Sequence, residues 1–227
     1  MDLQFGSAIV SKPWGSEYMA YSNEDVALWV LHIREGESTS MHCHSEKTTG
    51  LVCFEGSVTV NFLADQRDMN AVSKVMIRRG LFHQTTSTSK GGSIVFEIES
   101  PNKKTDLLRL NDKYGRKSKS YEGKEFYSSK DEKCLQIKNP NKGASKSYLF
   151  RGKTLLVEHV VDIDVINSKK DDDLVFLLSG GIYRKIDGEH FVATRGGDVG
   201  YAKIMKQVST QMDGLMPNTI ILTIPNE

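Results

Sequence analysis

Apolar residues in this chain come in short runs. VALWVLHI (26–33), GLVCFEGSVTVNFL (50–63), SKVMIRR (73–79) and GSIVFEIES (92–100) are rich in Val, Ile, Phe and Trp, and Gly, Asn, Asp and Ser punctuate them. Runs of this length, bounded by turn formers, predict short strands rather than helices. No segment before residue 100 sustains a 3.6-residue period. The same texture returns in KTLLVEHVVDIDVI (153–166), DLVFLLSGGIYRKI (173–186), EHFVATRGG (189–197) and NTIILTIP (218–225). The expected class is all-β, built as a sandwich or barrel.

The two strand-rich stretches read as a diverged repeat. FEGSVTV (54–60) corresponds to LSGGIYR (178–184), IRRGLFH (77–83) to ATRGGDVG (193–200), and SIVFEIESP (93–101) to TIILTIPNE (219–227). A repeat this long means duplicated domains, since solenoid units run only about 20–50 residues. Between them, residues 111–147 are dense in Lys, Ser, Gly and Asn, the composition of an exposed crossover, with one short extended piece at CLQIK. The expected organisation is one domain over 1–116, a linker over 117–147 and a second domain over 148–227.

Bulk properties narrow the classes. A chain of 227 residues can bury one large core or two small ones. A net charge of +1 gives no electrostatic footprint for nucleic acid or an anionic membrane. No apolar run approaches the ~20 residues a spanning helix needs. The start, MDLQFGSAIVSKPWG, lacks the charged opening and long apolar stretch of a secretory signal. The cysteines, Cys43, Cys53 and Cys134, are odd in number and make no disulfide framework. A cytoplasmic setting is expected.

The chemistry concentrates in SMHCHSEKTTG (40–50). It spends two of the chain's six histidines one residue apart. Residues i and i+2 of a strand point the same way, so His42 and His44 present two imidazoles on one face and Cys43 faces the other. Two neutral imidazoles on a stiff strand are a half-site for a divalent transition metal. His83, after the Arg-Arg-Gly turn, is the candidate third ligand. A satisfied core histidine is the ordinary reading of any one of them, but three at this spacing point to a metal.

Gly36, His42, His44 and Gly56, followed by Gly80-Leu81-Phe82-His83, resemble the two sequence motifs of the cupin superfamily. KPWGSEY (12–18) and LLRLNDKYGR (107–116) further resemble the opening and ending of the cupin domain of type II mannose-6-phosphate isomerases. The likeness spans about residues 11–116. It implies two jelly-roll barrels in tandem, the second degenerate, with one metal held in the first by His42, His44 and His83. Two positions depart from the pattern. Thr49 stands where the superfamily carries a metal-binding glutamate, with Glu46 nearby but nearer the rim, and Arg78 stands where it carries a proline. The second half keeps the texture without the ligands, since Asn167, Lys169 and Gly200 occupy the corresponding positions.

The ligand set suits zinc, manganese, iron or nickel alike. Candidate proton-moving groups are Glu97 and Glu99, which share one parity of SIVFEIES and face either the cavity or solvent, and His32, which alternates with Leu28 and Val30 and reads as a barrel-lining residue for packing or for supporting the ligands. Arg78, Lys47 and Arg34 are candidate grips for a substrate anion. The resemblance implies an isomerase or epimerase acting on a sugar phosphate or nucleotide sugar, in carbohydrate or surface-polysaccharide metabolism. The alternatives are an iron-dependent dioxygenase and a non-catalytic sugar-binding cupin. Neither nucleic acid nor membrane is expected as a partner, and a homodimer and a monomer are both compatible with the fold.

Overall fold

The computed structural model describes residues 6–115 and 123–226. Arg116 and the expected boundary beside it lie outside the described residues. The chain divides into two compact units, Met1–Gln136 and Ile137–Glu227.

The first unit contains β1 (Ala8–Lys12), β2 (Gly15–Ser22), β3 (Ala27–Ile33), β4 (Met41–Cys43), β5 (Thr48–Glu55), β6 (Ser57–Phe62), β7 (Gln66–Asn70), β8 (Ser73–Ile77), β9 (His83–Ser87), β10 (Ser93–Ser100), β11 (Leu108–Asn111) and β12 (Tyr127–Ser129). They form a seven-stranded sheet, β12-β1-β2-β3-β10-β5-β8, and a five-stranded sheet, β11-β4-β9-β6-β7. Neighbours are antiparallel throughout. This is the expected double-sheet jelly roll. β12 falls within the stretch read as a linker, and it pairs with β1 at the edge of the larger sheet.

Alternation decides what lies between the sheets. Trp29, Leu31 and Ile33 of β3, Leu51 and Cys53 of β5, and Val95 of β10 face inward from the larger sheet. Val58, Val60 and Met69 meet them from the smaller one. Burying each large apolar side chain contributes about 1.5–3 kcal/mol.

The second unit contains β13 (Ser145–Phe150), β14 (Lys153–His159), α1 (Asp164–Asn167), β15 (Leu174–Ser179), β16 (Gly181–Ile186), β17 (Glu189–Arg195), β18 (Val199–Tyr201), α2 (Ala202–Ser209), β19 (Gly214–Leu215) and β20 (Ile220–Ile224). Its sheets run β13-β14-β20-β15-β18 and β17-β16-β19. β20 lies between β14 and β15 as β10 lies between β3 and β5. Strand, glycine turn and strand recur as β5-Gly56-β6 and β15-Gly180-β16. IRRGLFH and ATRGGDVG match less well: β8, the edge strand beside β5, ends before Gly80, whereas β18, the edge strand beside β15, begins after Gly197. Asn167 closes α1, Lys169 pairs with Glu158, and Gly200 lies in β18.

Candidate metal centre

At one end of the first unit the sheets enclose a pocket of about 590 Å3, its open mouth included. Leu31, Leu51, Glu97 and Glu99 line it from the larger sheet, and His42, His83, Thr85 and Arg109 from the smaller.

The three histidines converge there by different routes. His42 sits mid-strand on β4 and pairs across the sheet with His83, the first residue of β9. His44 lies just past the end of β4. Its carbonyl accepts the Gly80 N–H at 2.7 Å. Gly80 has φ +74, a left-handed turn that glycine adopts without strain, and it brings the segment leading to His83 back onto His44. The ring centroids stand 5.0 Å apart for His42 and His44, 4.4 Å for His42 and His83, and 5.5 Å for His44 and His83.

Each imidazole has one nitrogen committed to the backbone. Nδ1 of His42 donates to the Ser40 carbonyl at 2.8 Å, that of His44 to the Asp106 carbonyl at 2.6 Å, and that of His83 to the Leu81 carbonyl at 3.0 Å. A carbonyl only accepts, so the proton resides on Nδ1 and the Nε2 lone pair is left free. Nε2 of His44 and of His83 is buried without a hydrogen-bond partner. Ligand atoms from all three residues lie within 4.8 Å of one another. Burial holds the rings neutral: it depresses His44 to about 3 and His83 to about 4, and together with the neighbouring imidazoles it lowers His42 well below the usual range. Buried, neutral, pre-oriented imidazoles with bare Nε2 atoms fit a divalent transition metal.

Asp106 holds the loop that follows His44. Its carboxylate accepts the N–H of Ser45 at 2.9 Å, the Ser45 hydroxyl at 2.8 Å, the N–H of Glu46 at 2.8 Å and the N–H of Lys47 at 3.0 Å. Burial pushes its carboxyl up, but these donors outweigh that and hold it at about 2.

Carboxylates approach the imidazoles from the larger sheet. Glu97 and Glu99 are inward-facing on β10, and ligand atoms of His44, Glu97 and Glu99 also lie within 4.8 Å of one another. Their environments differ. Burial, with Glu99 beside it, raises Glu97 to about 7. Burial raises Glu99 as well, but Lys47 and Lys104 overcome it and keep that carboxyl below its usual range. Lys47 is 1% exposed, and its ammonium donates to Glu99 Oε1 at 2.5 Å. Lys104 pairs with Glu17 at 2.9 Å and lies 3.6 Å over the Trp29 ring. Lys12 pairs with the same Glu17 at 3.5 Å.

Several sequence-based expectations are relocated. His32 does not face the pocket. Inward residues of β3 are Trp29, Leu31 and Ile33, so His32 shares the opposite face with Leu28 and Val30, its ring 6.0 Å from that of Tyr18. Arg34 is exposed and donates to the Pro13 carbonyl. Arg78 is exposed in the turn before Gly80, where its carbonyl accepts the Leu81 N–H. Neither lines the pocket. Lys47 does line it, but as the partner of Glu99. Cationic positions that do line it, and that the motifs did not single out as anion grips, are Lys12, Lys104 and Arg109. Cys43 is buried on the other face of β4, as alternation requires, and burial pushes its thiol up.

No family model matches this sequence, and no curated protein does. Solved structures similar to part of it include KdgF from Halomonas sp., at 14% identity over 40% of this chain and 83% of that one, with a TM-score of 0.39. A RmlC-like cupin from Shewanella frigidimarina matches at 15% identity over 43% of this chain and 86% of that one, with a TM-score of 0.39. The capsular polysaccharide assembling protein CapF from Staphylococcus aureus matches at 16% identity over 46% of this chain and 34% of that one, with a TM-score of 0.41. No helix among the described residues is long and apolar enough to cross a membrane.

Proposed function

We propose that the first unit is a metal-dependent enzyme that isomerises or epimerises a small phosphorylated or nucleotide-linked sugar. The observation that carries this reading is the convergence of three Nδ1-anchored imidazoles on one point of a pocket that also holds two buried carboxyls. His42, His44 and His83 would hold the metal through Nε2. A divalent metal bound there supplies Lewis acidity toward a carbonyl or hydroxyl oxygen.

The remaining residues divide the other tasks. Glu97, buried and facing the pocket, takes a proton from one carbon and returns it to another. Lys104 and Lys12 are engaged by Glu17, and Arg109 presents the guanidinium on the pocket wall that draws an anionic group. Arg109 pairs with His42 across β11 and β4, so an anion on its guanidinium lies beside the imidazoles. Leu31, Leu51 and Leu107 keep the floor apolar and limit water around the reacting carbons.

The test is elemental analysis of the purified protein beside His42→Ala/His44→Ala, followed by incubation with sugar phosphates in deuterated water. About one metal per chain, lost in the double variant, and deuterium incorporation at a carbon next to a carbonyl are expected. A chain that takes up no metal even after reconstitution refutes the reading.

A further inference from the structure

We infer that Glu99, on a different strand from the one carrying the superfamily's glutamate position, supplies the carboxylate arm of this centre. The inference rests on the metal-centre reading above. β5 carries Thr49 at the position of the missing acid, and β10 pairs with β5 in the register Glu99↔Thr49. Directly paired residues of adjacent strands point to the same face with Cβ atoms about 4.5–5.5 Å apart. A carboxylate lost at residue 49 is therefore replaced from the adjoining strand, on the same wall of the pocket.

Three observations argue that Glu99 is aimed at a ligand and is not merely half of a buried ion pair. Its Oε1 is taken by Lys47, but Oε2 has no hydrogen-bond partner although the residue is 2% exposed. An unsatisfied buried carboxylate oxygen is costly and calls for a partner. The Thr49 hydroxyl across the strand is also buried without a partner, so Thr49 does not satisfy that oxygen. Finally, the carboxylate groups with His44 and Glu97 inside 4.8 Å, His44 is also a member of the three-imidazole cluster, and of the two carboxylates it is Glu99 that carries the buried oxygen without a hydrogen-bond partner. Lys47 orients the carboxylate through one oxygen and leaves the other for the metal, as outer hydrogen-bond partners of ligating groups do.

The experiment is calorimetric titration of metal-free protein with Co2+ and Zn2+, without substrate, together with the visible spectrum of the Co2+ form. Glu99→Gln is expected to weaken metal affinity about 10–100-fold and to change the Co2+ spectrum. Lys47→Met/Glu99→Gln removes the stranded ammonium and should keep the loss. Glu99→Asp keeps the charge on a side chain one methylene shorter and should also bind more weakly. Thr49→Glu/Glu99→Gln, which returns the acid to β5, should recover affinity. Wild-type affinity and spectrum in Lys47→Met/Glu99→Gln would overturn the inference, as would a loss produced by Glu97→Gln and not by Glu99→Gln. If Glu99→Gln fails to fold, Glu99→Asp decides: unchanged affinity in it overturns the inference. Wild-type protein that binds neither ion refutes the metal-centre reading itself, a result distinct from all of these.

Discussion

Asp106 is the residue whose replacement most directly tests how the centre is held. It contributes no ligand atom, yet its carboxylate takes four hydrogen bonds from residues 45–47 and its carbonyl takes the His44 Nδ1 proton. Asp106→Asn keeps one accepting oxygen and turns an amide NH2 toward donors that need an acceptor. Hydrogen bonds to a charged group contribute about 1.5–3 kcal/mol each, but Ser45 and Glu46 are exposed and water replaces much of theirs. The Lys47 N–H is buried and keeps its full cost. The carboxyl gives an independent figure. Its depression from 3.8 to about 2 corresponds to about 2 kcal/mol, which screening at the rim of the unit reduces to about 1–2 kcal/mol. The folded value lies below the unfolded one, so this stability is fully present above about pH 4 and is lost as pH falls toward 2. Urea unfolding should find Asp106→Asn about 1–2 kcal/mol less stable at pH 7, with the gap to wild type closing between pH 4 and 2. Metal affinity should fall as well, because the carbonyl that orients His44 belongs to the same residue. Equal stability at pH 7, or a gap that persists at pH 2, would refute the reasoning.

Lys47→Met leaves the buried Glu99 carboxylate without its nearest cation and should cost about 3–5 kcal/mol in urea unfolding, most of it recovered when Glu99→Gln is added. Gly15→Ala places a Cβ 1.8 Å from the His32 carbonyl oxygen at φ +150, so a drop in thermal midpoint equivalent to about 2 kcal/mol or more is expected, and an unchanged midpoint would contradict the close approach of β2 to β3. Thiol labelling of folded protein should modify Cys134 first, since Cys43 and Cys53 are buried and burial pushes the Cys53 thiol up to about 12. Rapid labelling of Cys53 in the native state would be evidence against the first unit's core.

Strand content was legible because alternation and turn residues are local signals, and the runs at 26–33, 50–63 and 92–100 became β3, β5-β6 and β10. What escaped was set by tertiary context. KTLLVEHVVDIDVI (153–166) reads as one extended run, yet β14 stops at His159, the chain turns over residues 160–163, and Val165 and Ile166 enter α1, where Ile166 packs into the second unit's core. AKIMKQVS forms α2 on an amphipathic pattern too short to outweigh the strand signals around it. Tyr127–Ser129 has the polar composition of a linker, and its pairing with β1 satisfies an edge whose need for a partner cannot be read from residues 127–129 themselves.

The centre divides the same way. His42 and His44 could be found from two-residue alternation, and His83 from the glycine turn before it. The direction of His32 could not, because an isolated strand shows two equivalent faces and only packing against Trp29 and Leu31 names the inner one. Arg34 and Arg78 sit beside the motifs in sequence, but nearness along an extended chain is not nearness to a point between two sheets. Lys104, Asp106 and Arg109 lie more than fifty residues from His44 in the sequence and meet it only because β11 returns to pair with β4. The loss at Thr49 is therefore weak evidence against catalysis. Thr49 and Glu99 are far apart in sequence and adjacent in the sheet, so a scan along one strand records a missing acid where the folded pocket holds two.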